Sequence, residues 1–137
     1  MCKVSSSVQF LTRSVGTREG SARTQWVPNT DVYATDNGLV VKVELAGMRS
    51  EHLEITVESN RLRISGTRPD GCRASKCSFL AMEINYGPFE SVLELPAGYD
   101  LTQAKASYLN GFLRIDVPEQ SQTSQKTFSV SVTTGED

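Results

Sequence analysis

The sequence feature that most constrains the fold is the segment 106–118, which is typical of a tight β-hairpin. Asn110 and Gly111 form the dipeptide that most readily takes the positive φ angles of a two-residue turn. From Leu113 to Val117, apolar residues alternate with polar ones, so one face of the second strand is predicted to be buried and the other hydrated. Pro118 is expected to stop the pairing because it has no amide hydrogen to donate.

The middle of the chain repeats this pattern in short apolar segments that are separated by turn residues. In one of them, Leu39, Val41, Val43 and Leu45 occupy the same face of a predicted strand. No segment of useful length has a helical period, and strands without intervening helices indicate an all-β fold, an immunoglobulin-like antiparallel β-sandwich. The predicted strands are 31–34, 39–45, 53–58, 61–65, 78–84, 90–95, 104–109 and 112–117.

Composition divides the chain into one central domain and two polar ends. A chain of 137 residues is long enough to bury a core without disulfides or metal ions. Residues 1–25 are rich in serine, threonine, glycine and arginine, and residues 119–137 are rich in glutamine, serine and threonine. We therefore expect a flexible N-terminal arm at 1–25, a folded domain at 26–118 and a flexible C-terminal tail at 119–137.

Several classes of function find no support in the sequence. The net charge is −2, and neither end has the dense basic run of a nucleic-acid-binding arm. No apolar stretch could cross a bilayer, and the start of the chain lacks the pattern of a secretory signal. His52 is the single histidine and is expected to be solvated, while Cys72 and Cys77 lack the spacing of a metal or redox pair. We expect a cytoplasmic protein that is not an enzyme and uses no cofactor, metal ion, nucleic acid or membrane.

Six segments resemble, in order, the motifs of the α-crystallin domain of bacterial small heat shock proteins. Three of them are the Leu-Ala-Gly-Met run that ends at Met48, the Gly-x-Arg ending of 60–68, and the Met-Glu-Ile run that begins at Met82. The other three are residues 28–33, the Leu-Pro pair at 95–96 and the hairpin 106–118. Two positions depart from the family pattern. Phe112 follows Asn-Gly where relatives commonly have valine, and Ser91 stands where many relatives have arginine.

The resemblance implies an activity without catalysis. Small heat shock proteins are ATP-independent holdases, which bind partly unfolded client proteins and prevent their aggregation. Their domain forms a homodimer and assembles further through flexible ends. A different interpretation is a monomeric co-chaperone or scaffold domain of a related sandwich fold, which docks onto a folded partner.

The resemblance also implies that the segment 69–80 pairs with a second subunit. In bacterial relatives, the chain between the Gly-x-Arg strand and the Met-Glu-Ile run forms a strand that is exchanged between partners. The residues expected to make this contact are Cys77, Ser78, Phe79 and Leu80. An ordinary surface loop is the alternative.

A second implied contact involves the tail, where Val130-Ser131-Val132 is similar to the family's Ile-x-Ile motif. Alternate apolar residues on an extended segment can fill two adjacent pockets while Ser131 faces outward. By resemblance, the receiving groove comprises Leu53, Ile55 and Val57, with Leu101 near the opposite lip. The alternative is that the two valines have no docking role.

The third implied element is the N-terminal arm, which serves client binding or assembly in the family. Here it is short and polar, with a single apolar cluster of Val8, Phe10 and Leu11. Packing without a specific role is the alternative for this cluster.

Overall fold

Ten β-strands and two short 3-10 turns make up the computed structural model, which describes residues 12–14, 26–70, 76–121 and 128–135. The 3-10 turns span Ser50–His52 and Leu101–Gln103. The strands are β1 (Thr12–Ser14), β2 (Thr30–Thr35), β3 (Gly38–Glu44), β4 (Leu53–Glu58), β5 (Arg61–Arg68), β6 (Gly87–Glu94), β7 (Lys105–Leu109), β8 (Phe112–Pro118), β9 (Phe128–Ser129) and β10 (Val132–Thr134).

The strands form two sheets of five. The first sheet has the order β1-β6-β5-β4-β9, and the second has the order β10-β7-β8-β3-β2. All neighbouring strands are antiparallel except β10, which runs parallel to β7. The predicted antiparallel sandwich is therefore confirmed.

The hairpin at 106–118 has the predicted form. Leu109 pairs with Phe112 across a turn in which Asn110 has φ 52° and Gly111 has φ 84°. The carbonyl of Gly111 also accepts a hydrogen bond of 2.8 Å from the amide of Leu45. The turn thus connects β7 to β8 and also holds the end of β3.

The core lies between the two sheets and is built from the inward faces of their strands. Phe89 is its largest fully buried side chain, and full burial of an apolar side chain of this kind contributes about 1.5–3 kcal/mol to stability. The other large, fully buried side chains are Leu45, Ile55, Leu62, Ile64, Leu95, Leu113, Ile115, Val40, Val41, Val43 and Val57.

Three strand predictions differ from the structure. Residues 78–84 form no strand, because an extended segment makes a ladder only where another strand lies beside it, and none of the described strands does. The predicted strands 61–65 and 90–95 are longer in the structure because β5 and β6 stay paired as far as Arg68 and Gly87. The ladder with β3 ends at Pro118, as predicted, where Pro118 pairs with Gly38 and its carbonyl accepts a 2.8 Å hydrogen bond from the amide of Asp100.

Parts of both predicted extensions lie against the sheets. Thr12–Ser14 pairs with β6 at the edge of the first sheet. After β8, the amide of Gln120 donates to the carbonyl of Gly98 at 2.8 Å, and residues 128–135 return to the sandwich. The apolar cluster of Val8, Phe10 and Leu11 lies outside the described residues.

Candidate interaction surfaces

The tail first adds to the edge of the first sheet. Ser129 pairs with Thr56 of β4, and Phe128 pairs with Val57. The amide of Val130 continues the ladder by donating to the carbonyl of Ile55 at 3.1 Å. This strand edge is therefore covered by the chain's own tail.

The tail then crosses to the edge of the second sheet. Val132 pairs with Ala106 of β7 and Thr134 pairs with Tyr108, both in parallel. The amide of Gly135 donates to the carbonyl of Tyr108 at 3.1 Å, and the Thr133 hydroxyl donates to the carbonyl of Ala106 at 3.3 Å. One short segment thus bridges an edge of each sheet.

The two valines lie where the tail passes from one sheet to the other. Val130 and Val132 are half-buried and pack against the core, whereas Ser131 between them is exposed. This alternation follows from the extended backbone, in which successive side chains point to opposite sides. The segment therefore presents two apolar side chains to the sandwich and one hydroxyl to solvent.

The four groove residues named from the sequence are all buried. Leu53, Ile55 and Val57 are the inward residues of β4, and Leu101 lies in the second 3-10 turn, just before β7. The backbone contacts of the tail on the second sheet are made by Ala106–Tyr108, which the sequence analysis did not include. Ala106 and Tyr108 share one face of the hairpin strand, but this alternation does not indicate which strand edge receives the tail.

Tyr108 also fixes the chain around this groove. Its hydroxyl donates to the carbonyl of Leu45 at 2.6 Å and accepts from the amide of Met48 at 3.2 Å. The ring packs against the core. The strand that receives the tail is therefore bonded to the end of β3 and to the connection after it.

A second surface lies on the described residues 76–86, which we call the projecting segment. It lies between β5 and β6, whose paired ends are Arg68 and Gly87. Cys77 is a free, exposed thiol, Ser78 is exposed, and Phe79 and Leu80 expose their apolar side chains.

The exposed apolar side chains of the projecting segment continue beyond the residues selected from the sequence. Met82 is 56% exposed and Ile84 is 61% exposed. Leu80, Met82 and Ile84 alternate with other residues, so an extended backbone would place all three on one side. The same alternation is visible in the sequence and could have added Met82 and Ile84 to the predicted contact.

Four strands lie at sheet edges in the part of the chain that the structure describes, and β2, with six residues, is the longest of them. The edges of β4, β6 and β7 are covered by β9, β1 and β10, but β2 has a neighbour only on its β3 side. Val32 near the middle of β2 is half-buried and packs against the core. The free backbone groups of Thr30–Thr35 could therefore accept a further strand.

Of the residues considered for chemistry, His52 and Cys77 lie in the described part of the chain, and Cys72 lies outside it. His52 is half exposed, and its Nε2 lies 4.0 Å from an Oε1 of Glu51. Among the described residues, no group of three or more histidine, cysteine, aspartate or glutamate residues could hold a metal ion. The same residues contain no helix with the length and apolar character needed to cross a membrane.

Comparison with known proteins gives consistent results. The model of the Hsp20/alpha crystallin family matches residues 31–133. The small heat shock protein C2 of Rickettsia felis is 28% identical over 104 residues, which are 76% of this chain and 68% of that protein. The spore protein SP21 of Stigmatella aurantiaca is 28% identical over 106 residues, which are 77% and 63% of the two chains.

Solved structures have the same fold. HspA from Xanthomonas axonopodis superposes with a TM-score of 0.66 and 28% identity, over 73% of this chain and 100% of that one. A small heat-shock protein from Xylella fastidiosa, described as having a distinct high order structure, gives a TM-score of 0.65 and 28% identity over 75% and 94% of the two chains. The family match spans well over half of the sequence and agrees with the sandwich. This chain belongs to the Hsp20/alpha crystallin family.

Proposed function

We propose that the chain is an ATP-independent holdase that binds partly unfolded proteins and prevents their aggregation. Family membership supports a chaperone role in general. The observation that carries the finer proposal is where the large exposed apolar side chains lie. Of the five among the described residues, four are on the projecting segment, and such a concentration marks an interaction surface. These four are Phe79, Leu80, Met82 and Ile84.

The working unit in this proposal is a homodimer formed by strand exchange. The projecting segment of one copy adds to the open β2 edge of the other, and the exchange is mutual because the contact is two-fold symmetric. Two observations support this pairing. The projecting segment has no neighbouring strand among the described residues, and β2 is the longest edge strand of the described sandwich. The exposed apolar segment favours this dimer over a monomeric co-chaperone.

The tail supplies a weaker, reversible contact in the same proposal. Full burial of a valine contributes about 1.5–3 kcal/mol, and Val130 and Val132 are only half-buried. Ordering each tail residue costs about 1–2 kcal/mol of conformational entropy. For a single docked tail, the free energy gained by burial is therefore close to the entropy cost of ordering. Assembly beyond the dimer requires several tails to dock on neighbouring subunits at once.

The proposal includes no catalytic step and no cofactor. We place the protein in the cytoplasm, where unpaired thiols such as that of Cys77 stay reduced. The cluster of Val8, Phe10 and Leu11 remains a proposed second contact for clients or for assembly.

Light scattering of a heat-labile client enzyme, warmed without ATP, tests the holdase activity. We expect equimolar wild-type chain to suppress the rise in scattering. Leu80→Ser should weaken suppression because it removes an exposed apolar side chain from the segment that forms the proposed working dimer, and surface changes of this kind leave the stability of the domain within about 0.5 kcal/mol.

The matched control is Phe112→Ser, which removes an exposed apolar side chain from the outer face of the second sheet. It should suppress scattering as well as the wild-type chain does. Failure of the wild-type chain to suppress scattering would contradict the holdase proposal.

A further inference from the structure

Arg68 is the last residue of β5 and lies where the chain leaves the sandwich. It pairs with Gly87, the first residue of β6, so the chain between them starts and ends at this one point of the sheet. Gly87 has φ 91°, a backbone angle that favours glycine, and the chain turns sharply into β6 there. The direction of the projecting segment is therefore set by what holds these two residues.

The Arg68 guanidinium donates hydrogen bonds to two separate connections between strands. Its Nε donates to the carbonyl of Asn85 at 2.8 Å, near the end of the projecting segment. Its Nη1 donates to the carbonyl of Ala46 at 3.3 Å, in the connection between β3 and β4. A planar guanidinium fixes the relative directions of its donors, so the two bonds tie the end of the projecting segment to the body of the domain.

Two aromatic rings complete this arrangement. The guanidinium carbon of Arg68 lies 4.3 Å from the ring centroid of Trp26 and 5.9 Å from that of Tyr86. Trp26 is itself buried against Phe89, with ring centroids 5.1 Å apart, and its indole NH donates to the carbonyl of Gly87 at 3.1 Å. Trp26 thus provides a rigid platform on which the guanidinium stacks.

Arg68 and Trp26 together hold two carbonyls at the end of the projecting segment. The carbonyl of Asn85 accepts from Arg68, and the carbonyl of Gly87 accepts from Trp26. We refer to Arg68 and Trp26 as the clasp. Tyr86 lies between Asn85 and Gly87 in the sequence, and its ring is near the same guanidinium. The clasp therefore contacts three successive residues.

We propose that the clasp positions the projecting segment for strand exchange, and that Arg68 is its positioning residue. This inference rests on the proposed dimer. A segment that leaves the domain in a fixed direction loses less conformational entropy when it pairs with a second copy than a freely moving one does. The clasp makes none of the intersubunit contacts and acts through the segment that it orients.

Sedimentation velocity of Arg68→Ala measures the effect on the dimer dissociation constant. We expect that constant to rise about tenfold for each segment released, and about a hundredfold for a symmetric dimer in which both segments are released. Arg68→Lys keeps the charge but not the planar pair of donors. It should raise the dissociation constant less than Arg68→Ala does.

Acrylamide quenching of tryptophan fluorescence provides a second measurement, because Trp26 is the only tryptophan in the chain. Removing the guanidinium from its ring should increase quenching in Arg68→Ala. The matched control is Arg61→Ala, which removes the guanidinium at the other end of β5, where it pairs with Glu94 at 2.9 Å. This control should change neither the dissociation constant nor the quenching.

The outcomes separate the inference from the dimer proposal. A dimeric wild-type chain whose dissociation constant changes no more in Arg68→Ala than in Arg61→Ala would overturn the role of the clasp. If Arg68→Ala does not fold, the same comparison with Arg68→Lys decides the matter. A wild-type chain that stays monomeric would overturn the dimer itself, and the clasp inference with it.

Discussion

Gly66 belongs to a Gly-x-Arg motif, and the structure gives a spatial reason for it. A Cβ atom at this position would lie 2.6 Å from the carbonyl oxygen of His52 and 2.9 Å from the ring of Phe89. Both distances are shorter than real Cβ contacts, and the first neighbour is backbone that cannot move aside easily. Gly66 therefore allows β5 to pass close to the start of β4 while Phe89 fills the core.

Gly66→Ala is expected to lower the free energy of unfolding by about 1–3 kcal/mol, because the added methyl group overpacks the interior. Urea denaturation followed by circular dichroism measures the change. Ser65→Ala, at the neighbouring position of the same strand, should stay within about 0.5 kcal/mol of the wild-type chain. Equal stability of the two variants would contradict this account of Gly66.

Phe112 and Ser91 show how the structure accounts for one departure from the family pattern but not for the other. The ring of Phe112 is 41% exposed, and Nζ of Lys42 lies 4.4 Å from its centroid, so the larger side chain forms a cation–π contact on the outer face. Ser91 is fully buried, and its hydroxyl oxygen has no hydrogen-bond partner among the described residues. Nothing in the structure explains the serine at this position.

At the scale of elements, the strands with alternating apolar residues could be predicted because each buries one face against the opposite sheet. The segment 78–84 has a similar pattern but forms no strand, because pairing depends on a neighbour that sequence periodicity does not report. The prediction of a docking tail rests on Val130 and Val132, which indicate that one side of the tail is apolar. Its second contact, with Ala106–Tyr108, could not be derived from that pattern because the pattern does not specify the edge or the direction of pairing.

Replacing both Val130 and Val132 by alanine should release the tail and leave the domain folded. The tail is close to balance between burial and ordering, so the loss of these methyl groups shifts it toward the free state. Amide hydrogen exchange should accelerate at Val130 and Gly135, which donate to Ile55 and Tyr108. The amide of Leu45, which donates to Gly111, is an internal reference that should not change.

Sizing of the same double variant tests the role of the tail in assembly. Any wild-type oligomer larger than a dimer should shrink to dimers. Ser131→Ala changes the exposed residue between the valines. It should leave both the amide hydrogen exchange and the oligomer size as in the wild-type chain. An unchanged oligomer size together with unchanged amide hydrogen exchange in the double variant would contradict the docking role of the tail.

At the scale of the whole molecule, the pattern of covered and open edges directs how copies can associate. The described sandwich has one long edge strand, β2, and one projecting segment that pairs with no strand among the described residues. A mutual exchange between two copies uses both and closes, so it ends at two subunits. Larger assemblies then depend on contacts of the tails or the N-terminal arms.

Chromatography with light scattering should therefore find wild-type dimers or larger particles at micromolar concentration. A double change, Met82→Ser with Ile84→Ser, should shift the distribution to monomers because it removes two side chains from the apolar side of the segment. Phe112→Ser should leave the distribution unchanged. A wild-type chain that is strictly monomeric would contradict the proposed strand exchange between subunits.

Because the tail bridges both sheets, proteolytic cleavage of the chain before the tail affects both sheets at once. Residues 128–135 cover β4 in one sheet and β7 in the other, so a single proteolytic cut after Pro118 uncovers two edges together. The longer strands β4 and β7 then join β2 as edge strands to which a foreign strand can add, and open edges are templates for aggregation. We therefore expect a chain cut between Pro118 and Phe128 to aggregate more readily than the intact chain.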